Sequence, residues 1–327
     1  MASPGFSNPY FPSDVVPVSV IAKLPPCISF RYTKVANIGA TQAERQVLDS
    51  VEGTGRCILT GEPFLRLPAP RSQIIITPPR ESDVDAVVCA LNAPEIYHWM
   101  SGPPYPYLRE HGGAWLTEQL TETDAILEDL QKGDVEPLLK TSLGCPLRMI
   151  RELHEDGTDT YLGWMGIYRS ERQEILDVNE REEVLAQDAL RKAGDPRIVW
   201  DLAYYIVPAR HGQGIMSAAL SAVIDQWAIP RLNAHIIQAS TLDGNVPSIR
   251  VLEKVGFRQR GGVCNHEEVR GELRGVQWLE WNRTRILQGA QESTGRAGEH
   301  EITQNEMYMH CLYIRAFPAS VYIVYST

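Results

Sequence analysis

The sequence predicts an α/β fold, a mixed and partly splayed sheet flanked by helices, and three observations in the second half of the chain carry that expectation. Residues 198–207 (IVWDLAYYIV) are a long β-branched and aromatic run closed by Pro208. A helix follows, with Ile215, Ala219, Val223 and Trp227 on one apolar stripe and Gln213, Ser217, Ser221 and Asp225 on the polar one. Residues 235–241 (HIIQAST) then read as a buried strand. Strand, helix, strand in that order implies a right-handed crossover between parallel strands.

The remaining elements follow from the N-terminus onward. Residues 1–72 mix prolines, glycines and short apolar patches without a sustained period, which predicts an irregular N-terminal extension in which 15–21 could form a strand. Ile74-Ile75-Ile76-Thr77 is a strand, and Glu81-Ser82-Asp83 opens a helix carrying Val84, Val87, Val88 and Leu91. Pro103-Pro104-Tyr105-Pro106 is a stiff loop, and 108–130 form a second helix despite Gly112-Gly113. Residues 147–152 and 161–168 pair as a hairpin about His154-Glu155-Asp156-Gly157. The acidic stretch 171–197 predicts a solvated helix inserted between strands. With a polar and then unpatterned C-terminal tail at 284–327, the folded domain is expected over 73–283.

Composition narrows the function classes. The chain has 327 residues, 43% of them hydrophobic, enough for a sizeable core. Its 31 basic and 41 acidic residues give a net charge of −10, which disfavours nucleic acid and anionic lipid as partners. Six scattered cysteines without a CxxC suggest no metal site and no dense disulfide frame. No basic start with an apolar run resembles a signal peptide, and the apolar stretch 311–326 is interrupted by Arg315 and Pro318, short of the roughly 20 residues a membrane span needs. A cytoplasmic protein without a membrane span is expected.

Two segments carry chemistry. In the turn Pro208-Ala209-Arg210-His211-Gly212-Gln213-Gly214-Ile215-Met216, alternate glycines admit a ligand to the backbone, and the first helical turn favours an anion such as a pyrophosphate. Arg210 and His211 can add side-chain contacts. A dinucleotide fingerprint fits worse, because Ser217 stands three residues after Gly214 and no acidic residue ends the next strand; the lysine and hydroxyl of a P-loop are absent. The second segment runs from Asn245 to Phe257. Asn245 is an N-cap, Pro247 suits a first turn and Gly256 a helix stop.

Together the Arg-His-Gly-x-Gly turn and the Asn-x-x-Ser-x-x-x-Leu-x-Lys-x-Gly-Phe string resemble the GNAT acetyltransferase superfamily. Residues 74–281 look like the branch that includes acetyltransferases of ribosomal-protein N-termini, with TPPRESDVDAVVCAL at the first helix start. The resemblance implies a GNAT-type splayed sheet and acetyl-CoA as donor. It also implies direct transfer to a primary amine: a protein N-terminus, a lysine or a small amine. It implies backbone contacts from Ile206 and Val207 to the pantetheine arm, a pyrophosphate cradle of His211, Gly212, Gln213, Gly214, Ile215 and Met216, and Asn245 and Ser248 beside the arm. Two positions depart from the pattern: Ala209 replaces a Gln or Arg, and Leu252 replaces a tyrosine that acts as general acid.

Direct attack needs a neutral amine and a polarised thioester, without a cysteine nucleophile or a metal. The candidate base is Asp201, with Glu152, Tyr204 and Tyr205 as weaker alternatives. Alternation puts Asp201 on one face with Ala203, Tyr205 and Val207, opposite Trp200, Leu202 and Tyr204, and leaves open which face holds the cleft. The competing expectation, kept by Leu252, is a non-catalytic acyl-CoA-binding or scaffold protein.

Overall fold

A computed structural model describes residues 54–56, 62–131 and 141–286. An antiparallel meander starts the sheet: β1 (Thr54–Arg56), β2 (Pro63–Arg66) and β3 (Ile74–Thr77). Three helices follow, α1 (Val84–Leu91), the single turn α2 (Pro94–Tyr97) and α3 (Arg109–Gln131). The hairpin β4 (Met149–Leu153) and β5 (Asp159–Arg169) comes next, then the inserted α4 (Val178–Ala189) and β6 (Val199–Ile206). Helix α5 (Ile215–Val223) runs on through a π turn (Ile224–Ala228) into a last α turn (Ile229–Leu232). Pro230 has no N–H to donate and its ring crowds the preceding turn, which accounts for the widening there. β7 (Ile236–Leu242), α6 (Val246–Lys254) and the hairpin β8 (Arg258–Val269) and β9 (Glu272–Asn282) complete the described chain.

Among the described residues all nine strands share one sheet in the order β1-β2-β3-β4-β5-β6-β7-β9-β8. Every neighbouring pair is antiparallel except β6 and β7, the pair that α5 links by crossover. The charged insertion forms a helix as expected. Asp177 caps α4 by accepting from the Glu180 N–H, and no residue of α4 is buried.

The stretch up to residue 72, expected to be irregular, contains β1 and β2. Pro63-Phe64-Leu65-Arg66 is too short to display a period, yet Phe64, Leu65 and Leu67 are buried and Leu65 and Leu67 join the main core. The strand expected at 15–21 and the tail beyond 286 lie outside the described residues. Cys89 is disulfide-bonded, a bridge that the scattered cysteines did not announce, while Cys145 and Cys264 are free thiols. Among the described residues no helix is long and apolar enough to cross a membrane.

The two faces of β6 enter different cores. Trp200 and Leu202, with Tyr204 and Ile206 beside them, pack with Ile215, Ala219, Leu220 and Val223 of α5 and Leu252 of α6. Tyr205, with Ala203 and Val207, packs instead with Val87, Leu91, Trp115 and Leu116 of α1 and α3 and with Trp164 of β5. Asp201 therefore faces the α1–α3 side.

Because β2 and the Leu67 that follows it contribute three buried side chains, a chain beginning at residue 73 should be less stable than one beginning at residue 54. The expected loss is roughly 1.5–3 kcal/mol for each fully buried side chain removed, read as a lower urea midpoint. Equal midpoints would mean that the cooperative sheet starts at β3.

Candidate active site

The parallel pairing of β6 with β7 is short. It joins Val199 to Ile236, Trp200 to Ile237 and Asp201 to Gln238, and there it stops, although β6 continues to Ile206 and β7 to Leu242. On the other side of β6, Val207 N–H donates to Leu162 O (2.8 Å) and Val199 O accepts from Ser170 N–H (2.9 Å). Odd-numbered residues thus turn their backbone groups to β5. By alternation Leu202, Tyr204 and Ile206 turn theirs toward the β7 side, where the gap opens beyond Asp201.

An open cleft of about 1730 Å³ follows this gap. At one end lie Gly212, Gly214, Ile215 and Met216. Gly212 (φ +72°) and Gly214 (φ +69°) adopt the left-handed backbone that glycine alone takes without strain. A Cβ on Gly212 would meet nothing within 4 Å, so the approach to the backbone is open there. Gly214 caps α5 without any side-chain bond, which leaves the N–H groups of the first turn for an anion.

Side chains brace this end. His211 Nε2 bonds to Ile206 O (2.8 Å), tying the turn to the end of β6. Gln213 Nε2 donates to Ala209 O (3.1 Å), and Arg210 is ion-paired with Glu152 of β4. Asn245 Oδ1 accepts from Ser248 N–H (3.3 Å), the expected N-cap of α6. Tyr204 Oη donates to Ser248 O (3.1 Å) and shares a hydrogen bond with Ser248 Oγ (2.8 Å). Leu252, one turn farther along α6, is 1% exposed and belongs to the core.

Asp201 lies in the cleft at the point where β6 and β7 part. Its Oδ2 accepts from Glu171 N–H (3.1 Å). Burial, helped by the charges of Glu174 and Glu171 and opposed by hydrogen bonds from the Ser170 side chain and Glu171 N–H, pushes its carboxyl up to about 7. Glu174 in turn accepts from Gln238 Nε2 (3.2 Å). The far walls add Glu95, Glu122, Glu267 and Glu268, whereas Arg250 and Lys254 accompany Arg210 among the lining residues. Arg148, at the Glu122 wall, is bound to Gln119 (2.6 Å) and Glu122 (2.8 Å). Over the acidic end, the β8–β9 hairpin is held by Arg270 on the rings of Tyr97 (5.5 Å) and Tyr105 (5.3 Å) and by Arg274 on Trp99 (4.7 Å).

Most of the expected site residues converge here. Ile206, Arg210, His211, Gly212, Gly214, Ile215, Met216, Asn245, Ser248 and Asp201 all line the cleft. Val207 and Gln213 do not: the Val207 N–H is engaged by β5, and Gln213 turns outward. Of the alternative bases, Glu152 is held by Arg210, and Tyr205 Oη is buried against Tyr161 Oη (2.9 Å). Trp164 and Tyr168 on β5 also line the cleft and were not singled out in the sequence, where each reads as an ordinary aromatic in a strand. The free amide-like edge of β6 and the glycine turn beyond it fit a ligand that carries amides along its length and a diphosphate at one end.

The family model of the acetyltransferase (GNAT) domain matches residues 73–258. Probable N-acetyltransferase YjcK of Bacillus subtilis is 36% identical over 70 residues, 21% of this chain and 38% of that protein, so the match spans well under half of the curated relative. Among solved structures, an acetyltransferase (GNAT family) from Bacillus anthracis is similar with a TM-score of 0.45 and 12% identity, covering 67% of this chain and 98% of that one. Mycobacterium smegmatis RimJ, solved in complex with CoA-disulfide, has a TM-score of 0.43 and 20% identity, covering 69% and 88%.

The elevated Asp201 carboxyl has a consequence for stability. A pKa raised on folding contributes stability at low pH that is lost as pH rises through about 7. The urea midpoint of Asp201→Asn should therefore gain on that of the wild type between pH 4 and 7 and hold its lead above. A lead that shrinks with rising pH would mean that the fold favours the charged carboxylate.

Proposed function

The chain belongs to the GNAT acetyltransferase family, whose members are acetyl-CoA-dependent N-acetyltransferases, and on that premise we propose that it moves the acetyl group of acetyl-CoA to a primary amine of a peptide or protein. The observation that carries this reading is the β6–β7 gap, with the glycine turn at one end and Asp201 at the other. When bound, acetyl-CoA supplies an activated acetyl carbonyl and a thiol leaving group. The backbone of Leu202, Tyr204 and Ile206 holds the pantetheine amides, and the turn at Gly212 and Gly214 holds the diphosphate.

An amine reaches the cleft as an ammonium and must lose a proton to attack. Asp201 takes that proton, since a carboxylate with a pKa near 7 is ionised at working pH yet basic enough to serve. Glu171 and Glu174 beside it, with Glu267 and Glu268 on the facing hairpin, attract a cationic acceptor. Exposed Leu176, Val178 and Leu273 on the same walls give a polypeptide apolar surface to lie on. On the α6 side Leu252 offers no proton, and Tyr204 Oη, held by Ser248, is the O–H at the gap. Burial raises its pKa well above the ordinary value, so it stays protonated and can donate once its bond to Ser248 O is exchanged. A catalytic carboxyl at the strand fork favours an enzyme over a scaffold that merely retains a donor site.

Replacing Asp201 by Asn should lower kcat/KM by roughly 10²–10⁴ while leaving acetyl-CoA affinity intact. In the wild type, kcat/KM should fall as pH drops below about 7, where Asp201 becomes protonated, and this limb should vanish in the variant. Wild-type turnover by Asp201→Asn would remove it from the mechanism. Basic peptides should outcompete acidic ones in a thiol-release assay, and exclusive use of small polyamines would redirect the acceptor. Replacing Gly214 by Val should abolish the thermal shift produced by acetyl-CoA, because a β-branched residue does not take the left-handed backbone there and its Cβ would displace Arg71, which distorts the turn. A full shift in a folded Gly214→Val protein would place the donor elsewhere.

A further inference from the structure

The glycine turn is braced from outside the segment that the family model matches. Arg71 lies in the β2–β3 connection, whose backbone is pinned by Leu67 N–H to Ile74 O (2.9 Å), Arg71 N–H to Pro68 O (3.0 Å) and Ile74 N–H to Arg71 O (2.9 Å). From this fixed base its Nη2 and Nε donate to Gln213 O at 2.8 and 3.3 Å. The two residues are 142 positions apart. A Cβ on Gly214 would sit 2.8 Å from Arg71 Nη2, so the guanidinium rests against that glycine.

We propose that Arg71 is a positioning residue for the donor's diphosphate, an inference that rests on the acetyl-CoA reading above. In a trans peptide the C=O and the next N–H point in opposite directions. Holding Gln213 O toward Arg71 turns the Gly214 N–H to the other side of the turn. Gly212 and Gly214 line the cleft and Gln213 does not, so that other side is the cleft. Arg71 also sets a positive charge directly behind the first turn of α5, where the other side chains of the turn are committed elsewhere. Ala209 has no polar group, Arg210 is neutralised by Glu152, and Gln213 bonds to Ala209 O. Two donors of the one guanidinium on the same carbonyl keep its plane fixed, which a lysine's single ammonium cannot do as well.

The test compares Arg71→Ala and Arg71→Lys with the wild type in the full chain. CoA binding is measured by calorimetry, and kcat/KM is measured with acetyl-CoA and with S-acetylpantetheine, which lacks the diphosphate. Loss of a charge-assisted anchor should weaken CoA about tenfold in Arg71→Ala, with a matching fall in kcat/KM for acetyl-CoA. S-acetylpantetheine should be used unchanged, and Arg71→Lys should bind CoA with intermediate affinity. Unchanged CoA affinity in Arg71→Ala overturns the proposal, and so does an equal loss with both donors, which would mark a general collapse of the turn. Failure of the wild type to bind CoA would overturn the donor reading itself.

Discussion

A buried backbone group without a partner is costly, and β6 leaves the C=O of Leu202, both backbone groups of Tyr204 and the N–H of Ile206 facing a gap where a neighbouring strand would normally be. The rest of the site follows from that splay. β6 cannot close on β7 beyond Asp201 and Gln238, so a linear ligand with its own amides can take the place of the absent strand. Antiparallel pairing with β5 holds β6 rigid along its other edge. The groups that meet the ligand are therefore aimed before it arrives, which limits the entropy lost on binding.

The two ends of the gap differ in charge for local reasons. At the end of β6 the chain must reverse into α5. Gly212 and Gly214 allow that reversal in left-handed conformations, leaving uncapped N–H groups at the end of the cleft that Arg250 and Lys254 also line. At the fork the inserted segment before α4 folds back over β6 and delivers Glu171 and Glu174 beside Asp201. In the proposed function an anionic donor and a cationic acceptor enter the same cleft from opposite ends, each drawn by the charge it meets first.

Wherever long periodic runs or turn chemistry dominate, the elements were legible in the sequence. The alternating β6, the amphipathic α5, the Asp-Gly hairpin and the Asn245 cap all form where their residues predict them. β2 was not legible, because four residues carry no measurable period and its burial depends on β3. The glycine turn could be read because its chemistry is local. The face on which Asp201 sits could not, since alternation gives two faces and only packing against α1 and α3 distinguishes them. Arg71 and Trp164 left no local signal: one meets its partner across 142 residues, and the other is simply a large apolar side chain in a strand.

The central claim, that the free edge of β6 receives the donor, predicts an alternating response to binding. Amide hydrogen exchange measured residue by residue, with and without CoA, should show new protection at Tyr204 and Ile206. Ala203, Tyr205 and Val207, already bonded to β5, should change little. Protection that rises uniformly along β6, or that leaves Tyr204 and Ile206 untouched while CoA binds, would contradict the account.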